Sequence, residues 1–115
     1  MRKAKLIKEF RELGGANGTW HVVCEFHRTI EILDVPPIGY TIIFPQPEIG
    51  RYGRMYIRHA DIESKNGNLN LYGVIEIPNY ENRDGGVKII KKMHKEGWEV
   101  KKVHEDVITE VRGII

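Results

Sequence analysis

The 115-residue sequence predicts an α+β fold, a two-layer sandwich with a mainly antiparallel sheet and two amphipathic helices packed on one face. Three observations predict it. Between Tyr52 and Pro78, Asn66-Gly67 separates two alternating runs, the pattern of a central β-hairpin closed by a two-residue type I′ turn. Thr19–Leu33 alternates apolar and polar residues with the period of a strand. Met1–Leu13 and Gly86–Glu96 instead repeat apolar residues three and four apart, the spacing of helices with one buried face.

In chain order, Leu6, Ile7, Phe10 and Leu13 predict an amphipathic helix that Gly14-Gly15 stops, with GGANG as a linker. Trp20, Val22, Cys24, Phe26, Ile30 and Ile32 share one face of the next segment, interrupted by Arg28. Its length predicts a bend or a new strand near that arginine. Asp34–Gly39 reads as a proline-stiffened turn, Tyr40–Phe44 as a short apolar strand and Pro45–Arg51 as a loop. In the hairpin the two-residue turn sets Ile62 against Leu71 and Ala60 against Gly73, with Leu69, Leu71, Gly73, Ile75 and Ile77 as a buried row. The Ala60–Gly73 pair leaves a shallow spot for a helix to approach. After the polar connection Pro78–Gly86, Asp84 is the expected N-cap of a helix burying Val87, Ile90 and Met93, with Gly97 as its left-handed stop. Trp98–Val103 reads as a strand. The tail Val107–Ile115 fits either element and is taken as a strand for its β-branched content.

Length predicts a single domain over residues 1–115. Hydrophobic content of 41% with 30% charged residues places the chain among folded globular proteins. No apolar run approaches the length of a membrane span, so no membrane partner is expected. The single cysteine, Cys24, excludes an intrachain disulfide and a cysteine-rich zinc site. Its place in an apolar row makes it a core thiol. Without an uninterrupted apolar stretch near the N-terminus, a cytoplasmic location is expected.

Charge is distributed unevenly. Arg2, Lys3, Lys5, Lys8 and Arg11 stand against Glu9 and Glu12 in the first predicted helix. Lys88, Lys91, Lys92, Lys95, Lys101 and Lys102 stand against Asp84, Glu96 and Glu99 in residues 84–104. Exposed lysines and arginines release counterions from a phosphate backbone. The leading functional expectation is therefore a non-catalytic nucleic-acid-binding protein. Its contacts are Lys88, Lys91, Lys92 and Lys95, joined by Lys5, Lys8 and Arg11. A protein-interaction module is the alternative, including a homodimer joined by Gly113-Ile114-Ile115 or by a sheet edge.

Other residues carry sharper chemistry. Arg28 and Arg58 interrupt apolar rows, so each needs a partner, an anion or water. A bulge near His59 would turn Met55 and Ile57 inward and Arg58 outward; the other reading is an anion site made by both arginines. On the first strand, Glu25 and His27 lie close enough to share a metal. Asp61, Glu63 and Lys65 share one strand face, and Glu63-Ser64-Lys65 has an E-x-K form that resembles PD-(D/E)xK nucleases. That resemblance implies a second alternative, a metal-dependent nuclease using this face, although Asp34 lies a whole strand and loop away. No catalytic residue, resident metal or cofactor is otherwise expected.

Overall fold

The first segment is a strand. The computed structural model describes residues 2–14, 19–32, 38–43, 54–77 and 83–115. Along them run β1 (Arg2–Gly14), β2 (Thr19–Ile32), β3 (Thr41–Ile43), β4 (Arg54–Tyr56), β5 (His59–Ile62), β6 (Leu69–Ile77), α1 (Arg83–Lys95), β7 (Glu99–Lys101) and α2 (Glu105–Val111), with a closing 3-10 turn at Arg112–Ile114. The fold is mixed α+β, with a five-stranded sheet ordered β5-β6-β1-β2-β7, a separate β3-β4 pair and two short helices. No helix of the described residues is long and apolar enough to cross a membrane.

The helix expected over Met1–Leu13 is thus corrected to β1. Ala4, Leu6, Lys8 and Phe10 alternate onto one face and are all buried, while Lys3 and Lys5 opposite them are exposed. A lysine in the middle of that row hides its period of two, and Leu6, Ile7 and Phe10 then imitate a helical stripe. Partners decide the outcome. β1 pairs antiparallel with β2 along one edge and parallel with β6 along the other, which makes it the middle strand of the sheet. The hairpin β5–β6 therefore lies at one side of the sheet. Three of the four pairings described in the larger sheet are antiparallel.

β2 is one continuous strand. Its irregularity falls where Phe10 faces Cys24 and Arg11 faces Val22, leaving Val23 as the extra residue rather than a break at Arg28. The bulge puts Val23 and Cys24 both in the core and Val22 outside, and the Val23 carbonyl accepts the His104 N–H at 2.7 Å. The hairpin turn also differs from expectation. Ile62 faces Leu69 and Ala60 faces Leu71, two residues out from the type I′ register. Gly67 alone in the turn has positive φ (72°), and Asn66 does not. The Asn66 amide is engaged in the loop instead: Oδ1 accepts from Asn68 N at 3.0 Å and Nδ2 donates to Glu63 Oε2 at 3.2 Å. A shift of two preserves faces, so Leu69, Leu71, Gly73 and Ile75 form the expected buried row.

The shallow spot at Gly73 receives a strand, not a helix. A Cβ there would sit 2.5 Å from Met55 Cγ and 2.9 Å from the Tyr56 carbonyl oxygen. α1 begins at Arg83, so Asp84 lies inside its first turn rather than capping it; Val87, Ile90 and Met93 are buried as expected. Gly97 follows with φ 100°. The tail expected as a strand is α2 and its 3-10 turn. Val107, Val111 and Ile114 recur four and three apart toward the core, and a helical period has no need of a neighbouring strand. The predicted linker Gly15–Gly18, the proline turn and the loop before Arg54 lie outside the described residues.

Candidate functional site

Structure divides the basic residues into three groups. Lys88, Lys91, Lys92 and Lys95 are all exposed on α1, opposite the buried Val87, Ile90 and Met93. Their spacing makes one stripe about 10 Å long at 1.5 Å rise per residue. No ion pair to a described residue holds any of the four. Lys5 and Arg11 project from the outer face of the sheet, the face away from the core. Lys8 projects the other way.

Lys8 is only 1% exposed, in register with Phe26 on β2 and Gly73 on β6. Its ammonium donates to the Arg54 carbonyl at 2.6 Å and stands 5.7 Å from the centre of the Trp98 ring. Desolvation by burial pushes its pKa down to about 8. A phosphate cannot reach it, so its place in the predicted contact set is corrected: Lys8 belongs to the core. Arg28, on the same sheet face, lays its guanidinium 5.8 Å from the Trp98 ring and donates to the Glu96 carbonyl at the end of α1. Arg58 is exposed and pairs with Glu76 at 3.3 Å, while Met55 and Ile57 point inward. The two arginines serve opposite faces, which rules out one anion site built from both.

The outer face holds a cleft of about 530 Å³. Its floor is Ile7 on β1 with Tyr72 and Val74 on β6. Arg58 and His59 line one side; Glu25, His27 and Lys102 line the other. The His59 and Tyr72 rings are tilted neighbours with centroids 5.4 Å apart. Burial first, then a hydrogen bond to Asp61 and the nearby negative charge, raise the Tyr72 phenol above its ordinary pKa. Across the floor, His27 Nε2 lies 2.8 Å from Glu25 Oε1, with side chains only 12% and 15% exposed. The second Glu25 oxygen lies 3.4 Å from Lys102 Nζ. Lys102 reaches back because its own backbone, at φ 51°, turns the chain out of β7. Arg11 pairs with Glu9 at one end of the cleft. Lys5, at the other, has no ion pair to a described residue.

The Asp61–Glu63–Lys65 face is occupied by the hairpin's own hydrogen bonds. Asn70, 4% exposed, donates its amide to Asp61 Oδ1 at 2.9 Å and Glu63 Oε1 at 3.1 Å. Lys65 sits in the turn, not on the strand. Among the described residues no group of three or more His, Cys, Asp or Glu side chains could hold a metal. Cys24 is fully buried, and burial followed by the Glu25 charge pushes its thiol up to about 12.

Alternation along β2 already places Glu25, His27 and Thr29 on one face. The cleft was not legible because its floor comes from β1 and β6 and its far side from Arg58 and His59 at the start of β5, and β1 reads as a helix. No family model, curated protein or solved structure matches the chain.

Proposed function

We propose that the protein is a non-catalytic binding protein that contacts nucleic-acid phosphates through α1. The observation that carries this reading is the stripe of Lys88, Lys91, Lys92 and Lys95, all exposed and none held by a described carboxylate. Between these lysines stand Ile89, Ile90, Met93 and His94, so no carboxylate interrupts the stripe, and the acidic residues four positions from Lys88 and Lys92, Asp84 and Glu96, fall at its two ends. A two-layer arrangement, with α1 and α2 over the inner face of the sheet, supports the reading because it presents the stripe outward. A nucleic-acid strand would lie along it, its backbone charges replacing counterions.

The test is a fluorescence-anisotropy titration of mixed-sequence DNA and RNA at two salt concentrations. Each phosphate contact contributes about 0.7 to 0.9 to the slope of log K against log salt. Lys91→Glu/Lys92→Glu should flatten that slope by about 2 and weaken binding at least about tenfold at low salt. Equal affinity of the variant and the parent refutes the assignment to α1.

A second reading, a protein partner, is favoured by one observation. Ile38, Tyr40, Ile43 and Tyr56, on and beside the β3–β4 pair, are each more than half exposed. Such a partner would give assembly that survives high salt, read by sedimentation at several concentrations.

A further inference from the structure

We infer that the cleft on the outer face of the sheet is a second binding site, for a nucleoside monophosphate. It goes beyond the α1 reading and uses none of the residues of that helix. Its volume, about 530 Å³, falls among small-molecule pockets and suits a ligand with a ring and a charged end. The floor is apolar and flat: Ile7, Val74 and the Tyr72 ring lie side by side across β1 and β6. With the tilted His59 ring as its flank, that floor offers a base a stacking surface.

Charge at the edges selects the other end of the ligand. Lys5, Arg11, Arg58 and Lys102 line the cleft against the carboxylates Glu9 and Glu25, and Glu76 stands 3.3 Å from Arg58 and 4.0 Å from Arg11, so the cations exceed the carboxylates by one. The surplus cation is Lys5, which carries no described ion pair, whereas Arg58 and Arg11 share Glu76 at the far end. A phosphate monoester brings about two negative charges at neutral pH and meets that surplus cation. Glu25, held in place by His27 and Lys102, supplies the acceptor that sugar hydroxyls require. Free inorganic phosphate would leave the apolar floor wet, and an uncharged nucleoside would leave the cations unmatched.

The same chemistry reaches the cleft as a free nucleotide or as the phosphorylated end of a strand. Isothermal titration of the full chain with adenosine monophosphate, adenosine and inorganic phosphate tests the site. The monophosphate should bind at least about tenfold more tightly than either fragment. Lys5→Ala, at an exposed position, should bring it down to the level of adenosine while adenosine itself is unchanged. Val74→Arg, which fills the floor, should abolish binding of both. Lys91→Glu/Lys92→Glu should change nothing, which separates this site from α1. In that last background, a short oligonucleotide binding only when it carries a 5′ phosphate identifies a strand end; binding of the mononucleotide alone identifies a free nucleotide. Monophosphate binding no tighter than phosphate, or untouched by Lys5→Ala and by Val74→Arg, overturns the inference, as does no binding of any probe at millimolar concentration.

Discussion

Lys8 makes the stability of this protein depend on pH in an unusual direction. Its ammonium is buried and its pKa falls from an ordinary 10.5 to about 8. Between those values the unfolded chain holds a proton that the folded chain has released. Stability therefore rises as pH climbs through that window, whereas below about 8 both states are charged and the burial cost is constant. Integrating from pH 7 to pH 10 gives about 2 to 3 kcal/mol of added stability from this one group. The perturbation is Lys8→Met, which keeps the unbranched stem and removes the charge. Urea melts of parent and variant at pH 7, 8, 9 and 10 provide the assay, because the difference between the two proteins cancels every group they share. The gap should move in the parent's favour by about 2 to 3 kcal/mol across the series, most of it above pH 8. A gap that stays flat from pH 7 to pH 10 would show that Lys8 keeps its solution pKa, and would refute the buried placement of the β1 row.

Two further outcomes follow from packing. Gly73→Ala sets a Cβ against Met55 and the Tyr56 carbonyl, so it should cost about 2 kcal/mol in a denaturant melt; adding Met55→Ala should not restore stability, because the carbonyl remains and Met55 is itself a buried core side chain. Cys24, with its thiol pushed up to about 12, should resist a thiol reagent at pH 8 in the folded protein and react fully in denaturant; rapid labelling of the native protein would contradict its burial on the core face of β2.

What could be read locally was the part whose periodicity is complete within one segment. β2 shows its alternation over Thr19–Ile32, and β6 shows its buried row from Leu69 to Ile75. α1 shows its stripe and its glycine stop. Arg58 was also legible, because with Met55 and Ile57 turned inward the next residue, Arg58, falls outside. The turn was legible as a turn but not in its register. A type I′ geometry needs only the local dipeptide, whereas Asn66 is held by Glu63 and Asn68 across the loop.

By itself, then, the sequence determined an α+β chain with a hairpin, one long strand, one amphipathic helix carrying four outward lysines, and a thiol committed to the core. Only the tertiary structure decided that Arg2–Gly14 is the middle strand, that the tail is helical, and that Lys8 lies inside while Lys5 and Arg11 lie outside. The reason is physical. A helix closes its hydrogen bonds within itself, so its pattern is local. A strand takes its hydrogen bonds from partners, and for β1 one of those partners, β6, lies more than fifty residues along the chain. A row with a lysine at its centre reads as a strand only once those partners surround it, and the cleft on its other face exists only because they do.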